Sequence, residues 1–183
     1  MKKRDKLLIA AGAAIGIAGT VYALWPKSKI PKNAIVEPFD REKYLGLWFE
    51  VARLPNRIEK HLRDLTEEYS LKEDGNLQVI TRAYHTDKNK IVEAEGTAKF
   101  TGKKTRGALK VAYFIPVYLD YNILDIDDDY RYALIAGGGL DYLWILSREN
   151  SVPDEIKVRF LKKAAALSFD VGKLEWMDNS KTL

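Results

Sequence analysis

Two acidic side chains, Glu50 and Glu67, lie in strand-like stretches where alternation turns them to the same side as their apolar neighbours. Carboxylates on an inner face have two chemical uses: an acid and base pair acting on a bound molecule, or a bed for a cationic head group. They also have a plain use, in which neighbouring tyrosines or water satisfy each one by hydrogen bonds. The only histidines, His61 and His85, fall in a loop and at a strand end with no further ligand at metal spacing, which reads as solvated surface. No nucleophile motif or catalytic triad can be assembled, and Gly137-Gly138-Gly139 precedes a strand, where it cannot cradle a dinucleotide. The acidic run 125–129 lacks the spacing and glycine of a calcium hand and reads as a turn. The sequence thus predicts no metal, no cofactor and no enzyme, with catalysis by Glu50 or Glu67 on a bound molecule as the alternative.

The elements that must position these carboxylates begin with Tyr-Leu-Gly-Leu-Trp-Phe-Glu-Val-Ala-Arg at 44–53, where Gly46 and Trp48 open the first strand. Further on, Asp128-Asp129-Tyr130 precedes a strand, and Leu-Trp-Ile-Leu-Ser at 143–147 ends on Arg148. An arginine in that place can lie across the Trp48 ring, with about 0.5–2 kcal/mol of cation–π attraction, and seal one end of a barrel. These segments, in this order, resemble the signature regions of the lipocalins. Their wording, with Glu-Tyr-Ser-Leu at 68–71, is most similar to the bacterial outer-membrane branch, to which the apolipoprotein D group is the animal relative. The resemblance covers about residues 38–178. It implies an all-β fold, an eight-stranded antiparallel up-and-down calyx with one helix outside, and it assigns Gly46, Trp48, Tyr130 and Arg148 to closing the barrel.

Strands are predicted at 44–54, 64–72, 77–86, 91–100, 108–114, 121–126, 130–136 and 142–147, with Asp74-Gly75-Asn76 as the clearest hairpin turn. In the fourth strand Val92, Ala94, Gly96, Ala98 and Phe100 form the inner face, and Glu93, Glu95, Thr97 and Lys99 the outer one. The same alternation turns Ala52 inward with Trp48 and Glu50, Glu67 inward with Leu65, Tyr69 and Leu71, and Val111 inward with Tyr113. Tyr142 and Trp144 share the parity of Arg148. Ala52, Val79, Ala94, Gly96, Ala98 and Val111 are small enough to leave space for one ligand, and Glu67, Tyr69, Tyr113, Tyr142 and Trp144 complete the candidate wall. Phe49 and Val51 face outward and need a cover. Residues 153–168, with Ile156, Phe160, Leu161, Ala164 and Leu167 at helical spacing, supply it, and 173–177 adds a short strand beside the first.

The 183 residues fit one domain, and the formal charge of +4 is concentrated in residues 1–6, which leaves the remainder nearly neutral and argues against nucleic acid. The apolar run 7–25 reads as a transmembrane anchor with the basic residues on the cytoplasmic side. Its length also allows a signal peptide cleaved near Ala23, with a soluble periplasmic product. Residues 26–38 read as a linker, 39–178 as the barrel domain and 179–183 as a tail. With no cysteine the chain has no disulfide and no lipobox. The resemblance implies binding, storage or transport of an amphipathic lipid, a fatty acid or lysophospholipid, in the bacterial cell envelope, with the membrane reached through the N-terminal segment and homodimerisation possible. A barrel filled by its own side chains, acting as an interaction module, is the third reading.

Overall fold

The computed structural model of the protein describes residues 29–114 and 117–177. The expected anchor or signal peptide at 7–25 and the tail at 179–183 lie outside the described residues. Among the described residues no helix is long and apolar enough to cross a membrane.

Period-two alternation produces eight antiparallel strands that follow one another up and down: β1 Gly46–Arg53, β2 Leu62–Leu71, β3 Leu77–His85, β4 Lys90–Phe100, β5 Ala108–Phe114, β6 Val117–Ile126, β7 Tyr132–Ala136 and β8 Leu143–Ser147. β8 pairs with β1 and β1 with β2, so the sheet closes on itself and the barrel has no free edge among these eight. The β2–β3 turn is held as expected: Gly75 takes φ +75°, and the Asn76 N–H donates to Asp74 Oδ1 at 2.9 Å. β6 starts four residues earlier than alternation alone indicated.

Apolar side chains separate into two layers. Trp48, Tyr69, Leu77, Val79, Ala98, Leu109, Val111, Ile123, Ile135 and Leu146 meet inside the barrel. Val51, Leu124, Leu134, Leu143 and Ile145 face outward, where Phe160 and Ala164 of helix α1, Asp154–Ala166, cover them. The short β9, Glu175–Trp176, pairs with Ala52 and Arg53 at the end of β1, as the sequence indicated.

Ala52 does not face the lumen. In the β1–β8 ladder Glu50 pairs with Leu146 and Ala52 with the next residue back, Ile145, so a bulge consumes one residue and reverses parity. Ala52 therefore packs in the outer layer beneath the helix, and Arg53 takes the inward position.

The loops at 54–61, 86–89 and 137–142 surround one end of the barrel, the mouth, and those at 72–76, 101–107 and 127–131 the other, the base. Residues 29–39 lie along the outside between them. The Lys29 N–H donates to Gly138 O at the mouth (3.0 Å), that of Val36 to Ile123 O (2.9 Å) and that of Phe39 to Thr105 O at the base (2.7 Å), while Ile30 is buried in the outer layer.

Phe160 is fully buried between helix and barrel. Phe160→Ala is expected to cost about 3–5 kcal/mol in denaturant unfolding, because the helix cannot collapse into the void against a closed sheet.

A closed base and a polar line along the lumen

At the base, Gly46 takes φ +92°, a left-handed conformation that brings the chain into β1 close beneath Arg148. The Arg148 guanidinium lies 3.7 Å from the centre of the Trp48 ring. Its nitrogens donate to the carbonyls of Leu47 (2.7 Å), Leu45 (2.8 Å), Lys43 (3.0 Å) and Tyr130 (3.2 Å). Trp48 Nε1 donates to Tyr44 O at 2.9 Å, and the Tyr130 hydroxyl accepts from the Asp40 N–H at 2.7 Å. Phe39, packed on Tyr44, Phe100 and Tyr130, fills what is left of the opening. Gly46, Trp48, Tyr130 and Arg148 thus converge on one plug that joins β1, β8 and the loop before β7.

Above the plug runs a line of polar groups. The Tyr69 hydroxyl donates to Glu67 Oε2 at 2.6 Å, that of Tyr121 reaches the same oxygen at 3.4 Å, and Tyr121 and Tyr44 share a 2.6 Å hydrogen bond. Burial pushes the Glu67 carboxyl up to about 7, against the opposing pull of the two tyrosine hydroxyls. Glu67 and Tyr113 are surrounded by protein on every side, yet each keeps part of its surface accessible. Both stand on inward-facing positions of their strands. Tyr113 is held in turn by a 2.6 Å bond to Thr81 Oγ1.

Nearer the mouth, Arg53 Nη1 donates to Glu50 Oε1 at 2.7 Å, and both are almost wholly buried. Arg53 Nη2 continues to the carbonyls of Leu62 (2.7 Å) and Glu59 (3.0 Å), tying the mouth loop to β1. Burial and the nearby Glu59 push the Glu50 carboxyl up, and Arg53 opposes them. Glu59 Oε2 accepts from Trp144 Nε1 at 2.9 Å and from Asn56 Nδ2 at 2.6 Å, and Tyr142 lies 5.9 Å from the Trp144 ring.

Among the expected wall residues, Val79, Ala94, Ala98 and Val111 are buried on inward-facing positions, and Tyr69, Tyr113 and Trp144 pack with the inner layer. Gly96 makes room of a different kind. A Cβ there would stand 2.9 Å from Tyr113 Cδ1 and 3.1 Å from Ala112 O, so the space belongs to a wall aromatic and is not available to a ligand. Arg53, Glu59, Tyr44 and Tyr121 were missed. The parity of Tyr121 with Ile123 was the one signal that could have found any of them. His61 and His85 stack at the mouth with centroids 6.0 Å apart, and His61 Nδ1 lies 3.0 Å from Asp87 Oδ2. Among the described residues no group of three His, Asp or Glu is arranged to hold a metal.

Residues 39–179 of this closed barrel match the lipocalin-like domain, and the chain belongs to the lipocalin family. It is 46% identical over 143 residues to the outer membrane lipoprotein Blc of Escherichia coli (strain K12), covering 78% of this chain and 81% of that protein. It is 33% identical over 165 residues to apolipoprotein D of Bos taurus, covering 85% and 84%. Among solved structures, the cockroach allergen Per a 4 superposes with a TM-score of 0.66 at 25% identity, covering 83% of this chain and 94% of that one.

Arg148→Ala removes the ring contact and leaves four carbonyls without their donor. Unfolding is expected to become easier by about 2–4 kcal/mol, measured in urea. Glu67 yields a pH signature. With its carboxyl near 7 in the folded chain and near 4.5 unfolded, the native state holds the proton more tightly, so its contribution is complete below about 4.5 and lost as pH rises to about 7. Relative to Glu67→Gln, the wild type is expected to lose up to about 3 kcal/mol across that window. A difference between the two proteins that stays flat from pH 4 to 8 contradicts the assignment.

Proposed function

We propose that the barrel binds and carries an amphipathic lipid, a fatty acid or lysophospholipid, in the bacterial cell envelope. The observation that carries this reading is a closed barrel whose inner layer is largely apolar and in which the inward-facing Glu67 and Tyr113 keep part of their surface accessible. An acyl chain gains about 0.8 kcal/mol for each methylene removed from water, so a long chain needs no catalytic group for useful affinity. Tyr113 and Trp144, the partly accessible aromatics of the inner layer, are the wall on which the chain lies, and the polar line from Glu50 to Glu67 meets its head group or terminal polar atoms. The family supports a carrier, and the envelope location is supported by the bacterial relatives, which are named as outer membrane lipoproteins. This chain has no cysteine to carry a lipid, and the apolar run 7–25 is proposed to tether it instead.

Glu67 favours a second reading. A lumenal carboxyl poised at about 7 is placed to act as a general acid or base on a bound lipid or terpenoid. A Glu67→Gln variant separates the two: a carrier keeps most of its affinity, and an enzyme loses its turnover.

Tryptophan quenching by added oleate or lysophosphatidylethanolamine tests the carrier. The wild type is expected to show saturable quenching at micromolar ligand or below. Trp144→Ala, which strips the wall near the mouth, is expected to weaken binding about tenfold, with the loss of about 1–2 kcal/mol of contact. Unchanged affinity in a folded variant excludes Trp144 from the wall, and no saturable binding by the wild type contradicts the reading itself.

A further inference from the structure

The chain does not leave the barrel at its base. Lys29, the first described residue, is hydrogen-bonded to Gly138 in a mouth loop, so whatever precedes it starts from the open end. In sequence the apolar run ends at Trp25, and the four steps from Trp25 to Lys29 span at most about 14 Å even fully extended. An apolar segment docked in a bilayer therefore holds the mouth, and not the base, close to that bilayer.

The mouth carries the chemistry of a membrane-facing rim. Ile58 and Ile91 are 46% and 54% exposed, among the most exposed large apolar residues of the described chain. Around them stand Arg57, Lys60, Arg63, Lys88 and Lys90, none of which makes an ion pair among the described residues. The acidic groups at this end are partly withdrawn. Glu59 is turned inward onto Trp144 and Asn56, which leaves Asp64, Asp87, Asp141 and Glu175 against five cations, with Asp87 3.0 Å from His61 Nδ1. Unpaired cations stand at the base as well, Arg41, Lys43, Lys72 and Lys104 among them, so charge alone does not choose the end; the exit of the chain at the mouth does. Unpaired cations flanking exposed isoleucines suit an anionic lipid surface, where charge supplies attraction and the apolar side chains enter the head-group layer.

We infer that the rim formed by 57–63 and 88–91 is a docking surface for an anionic bilayer, and that the barrel stands mouth-down so that its lumen opens onto the lipid leaflet. The inference deepens the carrier reading, since lipid then passes between leaflet and lumen without crossing water, but a barrel that carried nothing would dock in the same way.

The absence of cysteine allows a direct test in the full chain. Single substitutions Ile58→Cys and Ile91→Cys at the rim, and Lys103→Cys at the base, receive an environment-sensitive fluorophore. Each protein is reconstituted into vesicles of phosphatidylethanolamine and phosphatidylglycerol that contain a nitroxide lipid. The rim labels are expected to be quenched several-fold more than the base label. Replacing phosphatidylglycerol by phosphatidylcholine, or adding Arg57→Glu, Lys60→Glu and Lys88→Glu together, is expected to lower rim quenching about twofold or more, leaving only the part that the tether supplies. Equal quenching at rim and base overturns the inference, as does rim quenching indifferent to both lipid charge and rim charge. Rim labels shielded from aqueous iodide before any vesicle is added also overturn it, and point to a second protein copy on this face. Oleate titration of the same samples keeps the carrier reading separate: saturable binding alongside failed docking removes the orientation and leaves the carrier.

Discussion

The stacking of the Arg148 guanidinium on Trp48 is the contact on which the barrel depends. A closed sheet of eight strands has two ends, and a lumen that holds a ligand needs one of them stopped. Here the stop is built from opposite ends of the barrel sequence. Arg148 follows the last barrel strand, Trp48 belongs to the first, and Gly46 supplies the left-handed entry that lets them meet. By donating to carbonyls on 43–47 and to Tyr130, the arginine also satisfies backbone groups that the closed ladder leaves unpaired. Phe39, brought to the base by the strip 29–39, completes the seal.

With the base shut, polarity inside the barrel becomes directional. Glu67 sits just above the plug among Tyr44, Tyr69 and Tyr121, whereas Glu50, Arg53 and Glu59 stand towards the mouth. A buried ion pair such as Glu50–Arg53 adds little net stability, because desolvation offsets its attraction. Its structural effect lies in geometry: Arg53 also binds the carbonyls of Glu59 and Leu62, which fixes the mouth loop and with it the carboxylate that orients Trp144. The plain reading of the two inner carboxylates, satisfaction by neighbouring side chains, is thus the one the contacts display, with Arg53 as the partner of one and tyrosines as partners of the other.

Strands with a regular pleat were legible from alternation alone. β4 is the clearest case: Val92, Ala94, Gly96 and Ala98 are buried, and Glu93, Glu95, Thr97 and Lys99 stay at least partly exposed. Legibility ended where the pleat slips. The bulge after Glu50 exchanges Ala52 and Arg53, and a bulge carries no mark in composition, since either residue type fits either face until the partner strand is known. Cross-barrel contacts were hidden for a related reason. That Gly96 yields to Tyr113, or that Glu67 meets Tyr121, follows from the register of strands far apart in sequence, which hydrophobic periodicity does not encode. Pro31 and Pro38 indicated an extended segment at 26–38, but its path along the wall depends on hydrogen bonds to Gly138 and Ile123 that no local pattern specifies.

The most direct test of a lipid-carrying lumen is native mass spectrometry of the protein purified from its own cells without added detergent, before and after organic extraction. A lumen that holds one lipid predicts a near-stoichiometric mass increment that extraction removes and that fragmentation resolves into acyl chain and head group. A protein that arrives empty, and stays empty after incubation with fatty acids and lysophospholipids, would contradict the carrier and leave a barrel filled by its own side chains.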